Sequence, residues 1–157
     1  MYEIKGFEPR LYQQTIFNTC IKSNTLVVLP TGKGKTKLSI LVAVHRLNNF
    51  PKSKILFLTP TKPLASQICQ EFKECTNIEN INLFTGEIKP ELRKELWRES
   101  DVVISTPQTI TNDIINKKSY QSMFWGPSCD GLDCLTSEPI NMVELNVASS
   151  RSYCCLK

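Results

Sequence analysis

Apolar residues along this chain fall into blocks with two different spacings. Short runs at Thr25-Leu26-Val27-Val28-Leu29, Lys54-Ile55-Leu56-Phe57-Leu58-Thr59, Ile81-Asn82-Leu83-Phe84 and Asp101-Val102-Val103-Ile104-Ser105 are bounded by Gly, Pro, Asn or Thr. Their length and β-branched content read as buried strands. Between them, apolar positions recur at helical spacing. Glu8 to Ser23 is one such stretch, with Pro9 in its first turn and Leu11, Ile16 and Cys20 repeating along it. Lys37 to Leu47 is another, and Asn48-Asn49-Phe50-Pro51 breaks it. Helices are also expected from about Pro63 to Glu74, from about Pro90 to Ser100, and from Pro107 onward through Ile110, Ile114 and Ile115, the last with Thr106 as N-cap. Apolar strands alternating with helices predict an α/β fold with a parallel sheet flanked by helices on both faces.

The first strand leads directly into chemistry. Leu29-Pro30-Thr31-Gly32-Lys33-Gly34-Lys35-Thr36 joins a buried strand to a helix, the setting of a phosphate-binding loop. Gly32 and Gly34 let backbone N–H groups curl around an anion without a Cβ in the way. The helix that follows adds the positive end of its dipole. Thr31, Gly32, Lys33, Gly34, Lys35 and Thr36 are therefore candidate nucleotide-binding residues, with Lys35 reaching the β- and γ-phosphates and the Thr36 hydroxyl on Mg²⁺. The generic pattern has Gly where this chain has Leu29.

Other strand ends carry polar loops too. Thr59-Pro60-Thr61-Lys62-Pro63-Leu64-Ala65 follows the second strand, Thr85-Gly86-Glu87 the third and Thr106-Pro107-Gln108-Thr109 the fourth. In open α/β sheets such loops share one edge with the phosphate loop. Thr61 and Lys62, at the start of a helix, suit a nucleic-acid phosphate. Upstream, Arg10-Leu11-Tyr12-Gln13 offers a guanidinium that can stack on a base and an amide that can both donate to and accept from adenine. The charges from Pro90 to Ser100 read mostly as a solvated face, and the lone His45 as structural or solvent-facing, not catalytic.

Length and composition set the limits. At 157 residues, 41% hydrophobic and 22% charged, the chain is expected to form about one soluble domain. No apolar run reaches the length of a membrane span, and no signal-like segment opens the chain. Seven cysteines without metal-ligand spacing suggest reduced thiols inside a cell. Charge is uneven. Residues 1–118 hold 17 basic and 11 acidic residues, a net of +6, while residues 119–157 hold 2 and 4, a net of −2. The basic part is compatible with a polyphosphate partner.

Taken together, these motifs resemble those of superfamily-2 helicases and translocases, whose motor consists of two RecA-like domains. Arg10-x-Tyr12-Gln13 resembles the adenine-reading Q motif, and Thr31 to Thr36 resembles motif I, in which the first Gly is commonly absent. Thr59 to Ala65 resembles motif Ia, Thr85-Gly86 the following glycine motif, and Ser105 to Gln108 motif Ib. Leu-Pro-Thr-Gly-x-Gly-Lys-Thr, Pro-Thr-Lys-Pro-Leu, Thr-Gly-Glu-Ile-Lys-Pro-Glu and Thr-Pro-Gln are most similar to the branch of archaeal Hef helicase–nucleases and the Fanconi anaemia group M translocase. The resemblance covers residues 8 to about 116 and implies an ATP- and Mg²⁺-dependent motor on branched or forked DNA in repair. It implies that Arg10 and Gln13 read adenine. It also implies that Thr61, Lys62, Thr85, Gly86, Thr106 and Gln108 face a nucleic-acid backbone. RNA is the alternative partner, since Dicer and innate RNA sensors use similar motifs. A cytoplasmic location is expected for an archaeal-like protein and a nuclear one for a eukaryotic protein.

From about Tyr120 the resemblance stops. The family continues to a strand ending in Asp-Glu-Ala-His, whose Asp holds Mg²⁺ and whose Glu positions the attacking water. No two acidic residues are adjacent anywhere in this sequence. Residues 1–118 are thus expected to form a partial first RecA-like domain. Residues 119–157 are expected to be a divergent, irregular or disordered tail, in which Met142 to Val147 alone has the pattern of a strand. Asp130 and Asp133 as replacement metal ligands have no supporting pattern. The chain is expected to be an amino-terminal fragment that binds ATP and nucleic acid and does not hydrolyse ATP alone. The alternatives are a non-catalytic binding module or a non-functional fragment, with a small P-loop kinase a distant third that leaves motifs Ia and Ib unexplained.

Overall fold

The computed structural model describes residues 1–51 and 53–115, together with the backbone of two strands at 140–148 and 151–156. In chain order the elements are α1 (Leu11–Cys20), β1 (Thr25–Leu29), α2 (Lys35–Asn49), β2 (Lys54–Leu58), α3 (Lys62–Cys75), β3 (Ile81–Phe84), α4 (Pro90–Glu99), β4 (Val102–Ser105), α5 (Pro107–Ile115), β5 (Ile140–Ala148) and β6 (Arg151–Leu156). The strands form one sheet in the order β1-β6-β5-β2-β4-β3. β5, β2, β4 and β3 pair in parallel, and β6 runs antiparallel between β5 and β1. Two antiparallel steps leave β1 pointing the same way as β2. All the strands expected to end in functional loops therefore open at one edge of the sheet.

Both faces of the β2-β4-β3 region are covered, as continuous apolar strands require. On one face Ile55, Phe57, Val102 and Ile104 pack with Leu38, Ile40 and Leu47 of α2 and with Ile68 and Phe72 of α3. On the other, Leu56, Leu58 and Val103 pack with Phe84, Trp97 of α4 and Ile110 of α5. Each such side chain, fully buried, contributes about 1.5–3 kcal/mol relative to exposure. At the far end of the sheet β1 alternates instead: Val27 is buried, whereas Leu26 and Val28 are exposed.

Several boundaries differ from the sequence expectation. The first helix begins at Leu11 instead of Glu8. Arg10 is extended (φ −69°, ψ 158°), and its N–H donates to Gln13 Oε1 at 2.9 Å, so Arg10 is the N-cap and Pro9 lies outside the helix. The expected Thr106 N-cap does precede α5, yet its Oγ1 lies 3.0 Å from the Thr109 hydroxyl. Residues 1–5, to which no element was assigned, form a strap across the opposite edge of the sheet. The Tyr2 backbone N–H donates to Asn48 Oδ1, and Asn48 Nδ2 donates to the Tyr2 carbonyl, both at 2.8 Å. Lys5 N–H donates to the Cys75 carbonyl at 2.7 Å. Within the segment set apart as a tail, β5 contains the Met142–Val147 strand expected from its pattern, and β6 is an addition. Residues 116–139, including Asp130 and Asp133, lie outside the described residues.

Candidate functional site

The loop after β1 adopts the conformation its glycines permit. Gly32 and Gly34 have φ of +79° and +68°, the left-handed region that L-residues with a Cβ avoid. Gly34 is the N-cap of α2, and no side chain caps that helix. Lys33 N–H donates to the Pro30 carbonyl at 3.3 Å and closes the turn. The result is a loop whose backbone curls at the N-terminus of a 15-residue helix, as an anion site requires.

Lys35 is 8% exposed, and its ammonium folds back onto its own loop. Nζ donates to the carbonyls of Leu29 at 2.8 Å and Pro30 at 2.9 Å. These carbonyls terminate β1, so the buried charge is matched by backbone dipoles, as burial demands.

The loop is tied to α1 by two side chains. Tyr12 Oη donates to the Lys33 carbonyl at 2.9 Å. Gln13, 4% exposed, donates from Nε2 to the Gly34 carbonyl at 3.2 Å while its Oε1 accepts from Arg10 N–H. A Cβ at Gly34 would lie 2.6 Å from Gln13 Nε2, so that position requires glycine for both conformation and space.

These groups line one cleft of about 580 Å³, within the usual range for small-ligand sites. Arg10, Gln13, Thr31, Gly32, Lys33, Gly34, Lys35 and Thr36 all border it. Every residue expected to touch the nucleotide is thus brought together. The cleft also includes Phe7, Glu8, Lys37, Leu64, Gln67 and Glu71, none of which was assigned to it from sequence. Leu64, Gln67 and Glu71 are spaced by three and four along α3, so helical periodicity would have placed them on one face. Lys37 Nζ sits 5.0 Å from the Phe7 ring centroid, a cation–π contact. Burial raises the Glu71 pKa above the usual carboxylate value, with Lys37 opposing and Glu74 adding to the shift.

A second cleft of about 330 Å³ opens at the same edge of the sheet. It is bordered by Thr61, Lys62, Thr85, Gly86, Thr106 and Gln108, all six residues expected to face a nucleic-acid backbone, with Pro60, Ala65, Phe84 and Thr109. Thr61 is the N-cap of α3, and no side chain caps that helix either. Lys62 forms an exposed ion pair with Glu87. Arg93 is the exception to the mostly solvated face expected for α4. It is 4% exposed and forms a buried ion pair with Asp113 of α5. Alternation of charge along α4 gives no warning of this, because the partner lies 20 residues away.

His45 meets the structural expectation. Its ring packs edge-on against Phe17 at 5.4 Å, and burial followed by the Arg46 charge lowers its pKa. Cys20, Cys69 and Cys75 are buried unpaired thiols, and burial raises the pKa of each. Among the described residues, no helix is long and apolar enough to cross a membrane.

Comparison with known proteins covers both clefts. The family model for DEAD/DEAH box helicases matches residues 10–126. The chain is 43% identical over 113 residues to a Methanocaldococcus jannaschii protein named for ATP-dependent RNA helicase activity, a match spanning 71% of this chain and 14% of that one. It is 39% identical over 120 residues to the DEAD-box ATP-dependent DNA helicase Fancm of Drosophila melanogaster, across 74% of this chain and 8% of that one. The crystal structure of the Pyrococcus furiosus Hef helicase domain superposes with a TM-score of 0.65 at 39% identity, covering 70% of this chain and 23% of that domain. The chain therefore spans a small part of the length of the relatives it matches.

Proposed function

The chain belongs to the DEAD/DEAH box helicase family, and from that premise we propose that residues 1–118 are the ATP- and nucleic-acid-binding part of a helicase-type motor. The observation that carries this reading is the sorting of the candidate residues. Eight nucleotide candidates from two separate segments border one cleft, and six nucleic-acid candidates from three strand ends border another.

In the first cleft, the Gly32–Gly34 backbone offers N–H groups to the phosphates, and α2 contributes its dipole. Lys35 releases the carbonyls of Leu29 and Pro30 to reach the β- and γ-phosphates. Arg10 and Gln13 face the adenine end. Gln13 is already bonded to Gly34, so base recognition and the phosphate loop share one side chain. Mg²⁺, which would neutralise phosphate charge, would have the Thr36 hydroxyl as its donor. Magnesium sites ordinarily also use one or two carboxylates, and this chain has no adjacent acidic pair. It is accordingly read as holding ATP without hydrolysing it by itself. In the second cleft, Thr61, Lys62, Thr85, Gly86, Thr106 and Gln108 grip the sugar–phosphate backbone, which positions a strand without reading its sequence. Forked DNA is the favoured partner and RNA the alternative, in the cytoplasm or nucleus.

The test is nucleotide binding and turnover, with and without forked DNA. ATP·Mg²⁺ is expected to bind, and Lys35→Ala to weaken that binding roughly 10- to 100-fold, the loss of charge-assisted hydrogen bonds. Turnover is expected to stay at background. DNA-stimulated turnover abolished by Lys35→Ala would instead make this chain a complete ATPase. A non-catalytic binding module is the second reading, favoured by the absent acidic pair; it predicts binding whose affinity for DNA does not depend on nucleotide.

A further inference from the structure

Arg93 stands apart from the other charges of α4. Glu91, Glu95, Arg98 and Glu99 are exposed, whereas the Arg93 side chain points inward beneath the second cleft. Its guanidinium donates to three described residues, Asp113, Thr85 and Ile88. Nε donates to Asp113 Oδ2 at 2.7 Å, and Nη2 donates to Asp113 Oδ1. Nη1 donates to the carbonyl of Thr85 at 3.1 Å and to that of Ile88. Ile88 N–H also donates to the Thr85 carbonyl at 3.2 Å. The Thr85–Ile88 turn is therefore clasped at both ends by one side chain, which is fixed in turn by α5.

This arrangement joins two of the three walls of the cleft. The turn carries Thr85 and Gly86, and α5 begins beside Thr106 and carries Gln108. Glu87, within the same turn, reaches the third wall through its ion pair with Lys62. A buried ion pair is weak evidence for stability, because apolar residues of similar volume often serve as well. What apolar residues cannot do is hold two backbone carbonyls in place. Lysine cannot replace the fork either, since it is a point charge without the planar geometry. The geometry points to Arg93 and Asp113 as positioning residues of the second cleft, setting the spacing of its walls for the sugar–phosphate backbone of a nucleic-acid strand. This inference rests on the reading of that cleft as the nucleic-acid site.

The experiment compares binding of a fluorescent single-stranded DNA oligonucleotide with binding of ATP·Mg²⁺ in the same variants of the whole chain. The double variant Arg93→Met/Asp113→Leu removes both charges and so leaves no orphaned ion in the core. It is expected to bind ATP·Mg²⁺ as the parent does and the oligonucleotide roughly 10-fold more weakly. The slope of log affinity against log salt should also shrink by about 1, as when one phosphate contact is lost. Arg93→Lys keeps the charge and should show a smaller loss of the same kind. Parental oligonucleotide affinity in the double variant would overturn the inference, and parental affinity in Arg93→Lys does so if the double variant fails to fold. Equal losses in both ligands would also overturn it, because they indicate a purely structural role. The paired control Lys62→Ala/Gln108→Ala separates the two levels of the reading. If it too leaves oligonucleotide affinity unchanged, the cleft itself is misassigned. If it alone weakens binding, only the positioning role fails.

Discussion

The two clefts open at the same edge of one sheet yet are assembled in different ways. The first is largely local. Its loop is six consecutive residues, Thr31 to Thr36, with two left-handed glycines and a lysine bonded to carbonyls five and six residues back. The second has no local core. Three loops from three strands meet there, and a buried ion pair spanning 20 residues ties two of them together. A site of the first kind survives changes elsewhere as long as its own backbone is intact. A site of the second kind is only as well formed as the packing beneath it.

The most forceful way to break this contrast is Arg93→Ala, which leaves Asp113 buried and uncompensated. The expected loss is about 3–5 kcal/mol of folding stability, read as a drop in the urea midpoint at neutral pH. A loss below about 1 kcal/mol would mean that the second cleft is not braced from below. The counterpart for the first cleft is a glycine pair. Gly34→Ala forces a Cβ into the left-handed region and against Gln13 Nε2. A cost of about 2–3 kcal/mol is expected, the sum of left-handed strain and one displaced hydrogen bond. Gly32→Ala shares the strain but meets open space, so about 1–2 kcal/mol is expected there. Equal losses at the two positions would show that the Gln13 contact contributes nothing.

The same contrast explains what was legible in the sequence. β1, β2, β3 and β4 each fall within a residue of their expected place, although only one residue of β1, Val27, is buried as that run was expected to be. The conformation of the Thr31–Thr36 loop is equally plain, because the two glycines that permit it stand in the loop itself. Legibility fails where a residue's role depends on a distant partner. Arg93 looks like any charge on α4 until Asp113 comes beneath it. The strap at Tyr2 is invisible because its pairing is with Asn48, through a side-chain amide that sequence reads only as a helix breaker. Glu8 and Pro9 fall outside α1 because the Gln13 side chain caps Arg10, a competition that helical periodicity does not register. β6 pairs antiparallel with β1, and no apolar alternation was there to announce it.

Smaller effects sharpen the comparison by charge alone. In the first cleft, burial raises the Glu71 pKa above its ordinary value of 4.5. The folded protein then holds this proton more tightly than the unfolded chain. Stability from this group is present below pH 4.5 and is lost as pH rises through the folded value. Glu71→Gln removes that loss, so the variant should gain about 0.5 kcal/mol over the parent at neutral pH and nothing at pH 4. It should also bind ATP roughly two- to threefold more tightly at neutral pH, one repelling charge having left the phosphate cleft. A stability gain that is the same at both pH values would assign the effect to packing.

The smallest expected effect separates the clefts most cleanly. Each has a lysine engaged by the protein itself. Lys35 is held by the Leu29 and Pro30 carbonyls, which no substitution can remove. Lys62 is held by the Glu87 carboxylate in a pair whose side chains are 51% and 76% exposed, worth at most about 1 kcal/mol. A phosphate arriving at the second cleft must displace that carboxylate. Glu87→Gln should therefore raise oligonucleotide affinity by roughly two- to fivefold at low salt, the equivalent of that weak pair. The gain should fade in high salt, where screening shortens the reach of both charges. Nucleotide affinity at the first cleft should not change. A fall in oligonucleotide affinity would reverse the assignment: Glu87 would then serve to orient Lys62 toward the strand, and the second cleft would depend on side-chain pairing at its rim as much as on the buried pair below.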